Sequence, residues 1–198
     1  MPPRPSPLYN AIGTLSLPFL YGLYRLSAHG TANVPRDGGF VLGANHASNF
    51  DPWPLGLPLW PHRFLRFMAK AELYWFPLTL ILDGGGAFPV HRAQNDEEAI
   101  ATAVALARDG HAVAMFPEGT RRKKGLNKRF EARPRTGAAR IALDAGVPVV
   151  PAAIKGTDRL SRLARLRVAY GAPLAPEGTP QELTDRLMHE IERLYATL

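Results

Sequence analysis

Short runs of apolar residues alternate along the chain with longer stretches in which apolar residues recur every three or four positions. The short runs predict buried β-strands, and the longer stretches predict amphipathic α-helices. The predicted strands are residues 40–44, 87–90, 111–116, 147–154 and 166–170. The predicted helices are residues 96–107, 136–145 and 180 to about 196. Strands that alternate with helices through short links predict an α/β fold, a mixed and largely parallel sheet flanked by helices.

Local signals add detail to two of these elements. Thr179 and Glu182 have the spacing of a capping box, and Pro180 occupies the first helical position, so the last helix is predicted to begin there. Pro148 and Pro151 each remove a backbone N–H donor from the strand that contains them. Such a strand is expected at an edge of the sheet, or with a bulge.

The N-terminal stretch, residues 6–24, contains no charged residue and is mostly apolar. Its apolar residues recur at helical spacing, and tyrosines, which favour the membrane–water boundary, stand among them. We expect a membrane-associated helix that lies in one leaflet on the cytoplasmic face, with a core helix or a single membrane span as alternatives. A cleaved signal peptide is not expected, because no small-residue cleavage site follows. The apolar residues at helical spacing, which we call the apolar stripe, are Leu8, Ile12, Leu15, Phe19 and Leu23.

Composition and charge limit the kinds of site and the kinds of partner that the chain can have. A chain of 198 residues can form one domain with a substantial core, and the absence of cysteine excludes disulfides, thiolate metal sites and a cysteine nucleophile. The net charge of +7 favours anionic partners. The basic run 121–135 lacks an accompanying nucleic-acid-binding signature, so no nucleic acid is expected. An anionic membrane surface or a nucleotide-bearing substrate fits this run better, and simple solvation is the alternative.

The string NHASNFD, residues 45–51, follows the first predicted strand, where α/β proteins place functional side chains. His46 is suited to accept a proton near neutral pH, and Asp51 could hold its other ring nitrogen. The five-residue spacing does not stack the two groups on a helix face, so the pair requires a turn, which Asn49 and Pro52 permit. From spacing alone, a chance pair is the alternative, and Asn45 is interpreted as shaping the turn.

A second polar cluster, FPEGTRR at residues 116–122, follows another predicted strand. Glycine, hydroxyl and guanidinium groups at a strand end can bind a phosphate, and solvated surface positions are the alternative. Glu118 could hold an arginine, bind substrate hydroxyls or cap the backbone. Basic residues in two other segments add candidate phosphate ligands. The candidate substrate-binding residues are Lys70, Arg92, Glu118, Gly119, Thr120 and Arg121.

These clusters and two further segments resemble, in order, the four motifs of the lysophospholipid acyltransferase family, which includes bacterial 1-acylglycerol-3-phosphate acyltransferases. The resemblance covers about residues 30–175, and four motifs in order are a specific signal. The matching residues are His46 and Asp51 for the first motif, Gly86, Phe88 and Arg92 for the second, 116–121 for the third and 147–151 for the fourth. Pro89 and His91 depart from the usual second motif.

The resemblance implies transfer of a fatty acyl group from acyl-CoA or acyl carrier protein to the free hydroxyl of a lysophospholipid. The expected acceptor is 1-acylglycerol 3-phosphate, which gives phosphatidate in phospholipid biosynthesis. His46 would be the general base and Asp51 would orient it, while Arg92 and Arg121 would bind the acceptor phosphate in a pocket shaped by the third motif. No cofactor, metal site or covalent acyl-enzyme is expected. Residues 1–29 are predicted as the membrane-associated segment and residues 30–198 as the acyltransferase domain.

Three alternatives stay open at this level. The acceptor could be glycerol 3-phosphate, a lyso-ornithine lipid or a glycosylated phosphoinositide. The chain could also be a non-catalytic, membrane-peripheral lipid-binding protein, or a hydrolase in which water replaces the acceptor. Residues 50–76 are rich in large apolar groups, which are interpreted mainly as core, with some lining an acyl tunnel or touching a bilayer.

Overall fold

The computed structural model describes residues 5–90, 96–118 and 134–198. The strands are β1 Ser27–His29, β2 Phe40–Ala44, β3 Leu65–Lys70, β4 Ala87–Val90, β5 Ala112–Met115, β6 Val149–Lys155 and β7 Arg167–Tyr170. The helices are α1 Pro7–Leu17, α2 Pro52–Gly56, α3 Leu78–Gly84, α4 Asp96–Arg108, α5 Gly137–Ala145 and α6 Pro180–Thr197. A π-helical turn, Pro18–Leu23, continues α1, and a short 3₁₀ turn, Ala71–Leu73, follows β3.

The seven strands found in the described residues belong to one sheet, in the order β1-β7-β6-β2-β5-β3-β4. The five strands from β6 to β4 in this order run parallel, whereas β7 is antiparallel to β6 and β1 is parallel to β7. The predicted mixed, largely parallel sheet with flanking helices is therefore confirmed. Because neighbouring strands are parallel, the carboxyl ends of β2, β3, β4, β5 and β6 lie at one edge, which we call the carboxyl edge.

The predictions for individual elements had mixed outcomes. The strands at 40–44 and 87–90 and the capping box of α6 are confirmed. Strand β3 was not predicted, because Arg66 and Lys70 interrupt its apolar pattern. The short strand β1 was also missed, because three residues are too few for a periodic signal.

Strand β6 lies inside the sheet between β2 and β7 in regular register, so the prediction of an edge or bulged strand is wrong. The Pro151 carbonyl accepts a hydrogen bond from the Gly171 N–H at 2.8 Å. The nitrogen and carbonyl of one strand residue face the same neighbour, so the N–H that Pro151 lacks would face β7. Pairing with β7 begins only at Ala152. The proline therefore falls at the end of that ladder, and Pro148 precedes the strand.

Alternate residues of the central strand β2 face two apolar layers. Phe40 and Leu42 pack in the layer under α1, the π-helical turn and α2, whereas Val41 packs with α4, α5 and α6. Gly43 also faces α6, where a β-carbon would lie 2.7 Å from a methyl carbon of Leu187. Because Gly43 has no β-carbon, α6 can approach the sheet closely beside the carboxyl edge.

Helix α1 is attached to the domain by its inner face. The Tyr9 ring is buried against Phe64 and Trp53, with ring centroids 5.3 and 6.3 Å away. Burial raises the pKa of Tyr9 to about 12. The Trp60 indole N–H donates to the Asn10 side-chain oxygen at 2.9 Å. These contacts fix the rotation of α1 and leave its opposite face outward.

The predicted apolar stripe of the N-terminal segment lies on that outward face. Leu15 and Phe19 are 75% and 62% exposed, Leu8 and Leu23 are also exposed, and Ile12 is half-buried. The stripe therefore does not form the core contact that a buried helix would make. In the three described ranges, no helix combines the length and apolar character needed to cross a membrane.

Candidate active site

The loop after β2 folds around the carboxylate of Asp51. One oxygen, Oδ2, accepts backbone N–H groups from Ala47 at 2.7 Å and Ser48 at 2.8 Å. The same oxygen lies 2.8 Å from Nδ1 of His46. Pro52 begins α2 immediately afterwards, as the turn prediction required. The loop thus brings the predicted His46–Asp51 pair together.

The hydrogen bonding fixes the orientation and tautomer of His46. A carboxylate oxygen only accepts hydrogen bonds, so the proton in this contact belongs to Nδ1 and the basic lone pair belongs to Nε2. The Asp51 side chain is fully buried, and that of His46 is 17% exposed. Among the described residues, Asp51 Oδ1 is buried without a hydrogen-bond partner. The negative charge is therefore directed at the loop amides and the imidazole.

Phe116, the residue after β5, stacks on the imidazole of His46. Their ring centroids are 4.2 Å apart and their planes are inclined by 21°. The contact follows from the parallel pairing of β2 with β5, in which Gly43 is opposite Met115. Sequence reasoning assigned Phe116 only to a motif. No sequence signal identified this stacking, because its partner is 70 residues earlier in the chain.

Asn45 holds the start of the loop against β6. Its side-chain NH₂ donates to the Ile154 carbonyl at 2.9 Å, and its side-chain oxygen accepts the Ile154 N–H at 2.8 Å. The amide therefore acts like one more backbone pair between β2 and β6. The interpretation of Asn45 as a turn-shaping residue missed this contact across 109 residues.

The other predicted site residues follow strand ends at the same edge. Lys70 is the last residue of β3, and half-buried Glu118 stands three positions after β5. The strands β2, β5 and β3 follow one another in the sheet, so these positions lie at the same edge as the His46 loop. The remaining candidates, Arg92, Gly119, Thr120 and Arg121, lie outside the described residues.

The large apolar residues between 50 and 76 separate into three groups. Leu55, Leu57, Leu59 and Phe64 are buried core residues. Phe50, Trp53 and Phe67 are half-buried against the same layer, which also contacts Phe116. By contrast, Leu73, Trp75 and Phe76 face outward. The first two groups surround the β2–β5 end of the sheet with apolar side chains, while the third forms a separate surface.

The arrangement can perform base chemistry on a hydroxyl group. His46 presents a basic nitrogen at the edge of the sheet, and Asp51 is placed to stabilise the imidazolium that forms when the proton is taken. Within residues 5–90, 96–118 and 134–198, no group of three histidine, cysteine or carboxylate side chains is positioned to hold a metal ion.

Comparison with known proteins gives a consistent result. Residues 25–155 match the family model described as Acyltransferase. The chain is 32% identical over 148 residues to 1-acyl-sn-glycerol-3-phosphate acyltransferase of Bacillus subtilis, covering 72% of this chain and 70% of that protein. It is 30% identical over 145 residues to a chloroplastic enzyme of the same name from Brassica napus, covering 71% of this chain and 40% of that protein.

A solved structure has the same fold. The crystal structure of the 1-acyl-sn-glycerophosphate acyltransferase PlsC from Thermotoga maritima aligns with a TM-score of 0.73 and 25% identity. The alignment covers 96% of this chain and 77% of that one. An uncharacterized protein of Mycobacterium tuberculosis is 32% identical over 177 residues, and the alignment covers 80% of this chain and 46% of that protein. The matched region is thus less than half of the plant and mycobacterial relatives.

Proposed function

The chain belongs to the acyltransferase family, and we propose that it transfers a fatty acyl group to the free hydroxyl of 1-acylglycerol 3-phosphate, giving phosphatidate in phospholipid biosynthesis. Membership of the family implies an acyl donor and a lysophospholipid acceptor as substrates. The names of the relatives from Bacillus subtilis and Brassica napus support the choice of acceptor. The donor in this proposal is a thioester, acyl-CoA or acyl carrier protein. The observation that carries the proposal is His46, held through Nδ1 by Asp51 with Nε2 as its basic nitrogen.

In this mechanism Nε2 of His46 takes the proton of the acceptor hydroxyl while the oxygen attacks the thioester carbonyl. The carbon–sulfur bond of the resulting tetrahedral intermediate then breaks, and the thiolate leaves with the proton that His46 returns. Asp51 stabilises the imidazolium between these steps, and no cofactor is consumed. Such a general base contributes about 10²–10⁴-fold to the rate. Since the acceptor attacks directly, no acyl group is attached to the protein.

We propose that basic residues at or after the sequence ends of β3, β4 and β5 bind the acceptor phosphate. Arg92 follows β4 by two residues, Arg121 follows β5 by six, and Lys70 ends β3. In the proposal Glu118, together with Gly119 and Thr120, shapes the same pocket. Replacing either arginine with alanine should raise the KM for the acceptor more than the KM for the donor. A larger effect on the donor KM would reassign these residues to donor binding.

We further propose that the protein works on an anionic membrane surface, at its cytoplasmic face. Residues 1–29 would supply a helix lying in one leaflet, and residues 30–198 would carry out the transfer. Two observations support this: residues 6–24 contain no charge, and the outward face of α1 is apolar. The tyrosines of this segment suit the boundary between lipid and water.

The test of activity is acyl transfer from a long-chain acyl-CoA to lysophosphatidate by the purified protein in detergent. Wild-type protein should form phosphatidate, and His46→Ala should lose about 10²-fold or more of that rate. His189→Ala is the matched control, since His189 is exposed on α6, which packs in the layer of the sheet opposite α2. Retained activity in a folded His46→Ala protein would refute the base role.

The products of this assay separate the alternatives. Release of free fatty acid in place of phosphatidate would identify a hydrolase. If the wild type is inactive with acyl-CoA, acyl carrier protein and the other lyso-lipid acceptors are the next substrates to assay. Lipid binding without turnover on any of them would favour a non-catalytic protein.

A further inference from the structure

Residues 73–82 form a second uncharged, apolar segment, bounded in the sequence by Glu72 and Asp83. Its large side chains are not used to build the core. Phe76 is 80% exposed and Trp75 is 58% exposed. Contiguous exposed apolar groups are uncommon on soluble proteins and mark interaction sites. The segment therefore requires a partner that the core does not supply.

This segment adjoins the outward face of the N-terminal helix. Helices α1 and α3 pack together so closely that a β-carbon at Gly84 would lie 2.5 Å from Leu8 and 3.4 Å from Ile12. Of twelve exposed large apolar side chains in the described ranges, ten belong to residues 8–23 and 73–81. Because α1 and α3 are in contact, we group these two sets as one surface, which we call the apolar face.

We propose that the apolar face docks on a lipid bilayer as a unit, with Trp75 and Phe76 inserted into the leaflet beside the N-terminal helix. The inference rests on the proposed membrane association and extends it to a part of the catalytic domain. Aromatic and large aliphatic side chains without charged neighbours are the composition of interfacial membrane contacts. A bilayer is the partner because the acceptor of this family is a lipid. No charged residue falls within residues 6–24 or 73–82.

The location of the segment gives the docking a catalytic consequence. Residue 73 lies three positions after Lys70, where β3 ends at the carboxyl edge. Because β2 and β3 both end at that edge, the inserted segment begins at the same end of the strands as the His46 loop. A docked protein would thus face the lipid with the edge that holds its base, and the acceptor would reach Nε2 without leaving the bilayer surface.

The first experiment uses Trp75 as a reporter of insertion. The full-length protein is mixed with phosphatidylcholine–phosphatidylglycerol vesicles whose phosphatidylcholine chains are brominated, which quenches tryptophan that enters the leaflet. Trp53 is half-buried against the core and Trp60 is half-buried against α1, so Trp75→Phe removes the outward-facing reporter without changing the other two. We expect quenching in the wild type and its loss in Trp75→Phe. Equal quenching in both proteins, or none in the wild type, would overturn the proposal.

The second experiment measures affinity and activity in Phe76→Glu. Its matched control is Tyr195→Glu, an exposed aromatic residue on α6, which packs against the opposite layer of the sheet. Vesicle binding should weaken about tenfold or more in Phe76→Glu, because an inserted phenylalanine buries its whole side chain, and should not change in the control. Equal effects in both variants would refute the proposal, as would a wild-type dimer in which the face is covered by a second copy.

Two acceptors separate this proposal from the proposed function. Phe76→Glu should lose transfer to long-chain lysophosphatidate in vesicles but keep wild-type transfer to a short-chain, water-soluble lysophosphatidate. Loss on both acceptors alike would mean that Phe76 acts in the catalytic site and not in docking. If the wild type transfers to neither acceptor, the proposed function fails, while the quenching and binding results still decide whether the apolar face docks.

Discussion

Replacing Asp51 with asparagine tests whether the charge of this residue, beyond its hydrogen bonds, drives the reaction. The three hydrogen bonds that the carboxylate makes with described residues converge on one oxygen, Oδ2. The single carbonyl oxygen of asparagine can take that position and accept the same bonds from His46, Ala47 and Ser48. The tautomer and orientation of His46 should then persist, and only the negative charge is removed.

The size of the effect follows from the electrostatics of the pair. Both charges are delocalised, so their centres lie farther apart than the 2.8 Å between Nδ1 of His46 and Oδ2 of Asp51. Opposite unit charges about 4 Å apart attract by about 4 kcal/mol at an effective dielectric constant of ~20. Since about 1.4 kcal/mol corresponds to tenfold in rate, kcat should fall by at most about 10³-fold and by roughly 10²-fold if solvent screens part of the attraction. The asparagine NH₂ would also replace Oδ1, which is buried without a partner among the described residues, and an unpaired donor at that position should cost about 1–3 kcal/mol of stability.

The assay is acyl transfer at saturating substrates, with thermal unfolding measured in parallel. Asp185→Asn, on the exposed face of α6, is the matched control and should be unchanged in both, because asparagine can still accept the hydrogen bond from Gln181. Adding Asp51→Asn to His46→Ala should cause no further loss, because the charge acts through the imidazole. A stably folded Asp51→Asn protein with kcat close to the wild-type value would refute the electrostatic role of Asp51.

Three further predictions concern residues around the site and in the core. Asn45→Ala should destabilise the protein by about 1–3 kcal/mol in urea unfolding and lower kcat, because the Ile154 backbone loses both of its hydrogen bonds with that side chain. Unchanged stability would contradict the role of Asn45 in holding the loop against β6. Phe116→Leu should lower kcat by about 3–10-fold, because it removes a ring contact with His46 worth roughly 0.5–1.5 kcal/mol, and Phe116→Tyr should keep the wild-type kcat. An unchanged kcat in Phe116→Leu would show that the stacking is only structural. Burial and the nearby Arg66 lower the pKa of His111 from its ordinary 6.5, so on acidification the unfolded chain binds this proton before the native protein does. The contribution of His111 to the free energy of unfolding is therefore fully present above about pH 6.5 and decreases below it, and His111→Asn should lose less stability on acidification.

The His46–Asp51 pair illustrates what could be predicted at the site. Its residue types, spacing and position after an apolar run were sufficient to predict a base with an orienting carboxylate, and the order of the four motifs indicated the family. The contacts that hold the pair were not predictable, since Phe116 and Ile154 reach it through the order of strands in the sheet. No local pattern encodes which strands become neighbours.

Strand β6 shows the same limit for the fold. Its apolar run was predicted correctly, but its two prolines suggested an edge because the sequence does not reveal which side a missing N–H faces. Only the pairing of β6 with β2 and β7 shows that Pro151 lies at the end of a ladder.

Most of the strands and helices, the pairing of His46 with Asp51 and the family could be predicted from the sequence, because periodicity, capping and motif chemistry are local properties. Which apolar residues form the core and which face outward depended on the tertiary structure. Leu55 and Phe76 belong to the same apolar stretch, yet one is fully buried and the other is 80% exposed. The difference arises because burial depends on the packing of α1, α3 and the sheet, elements that are distant along the chain.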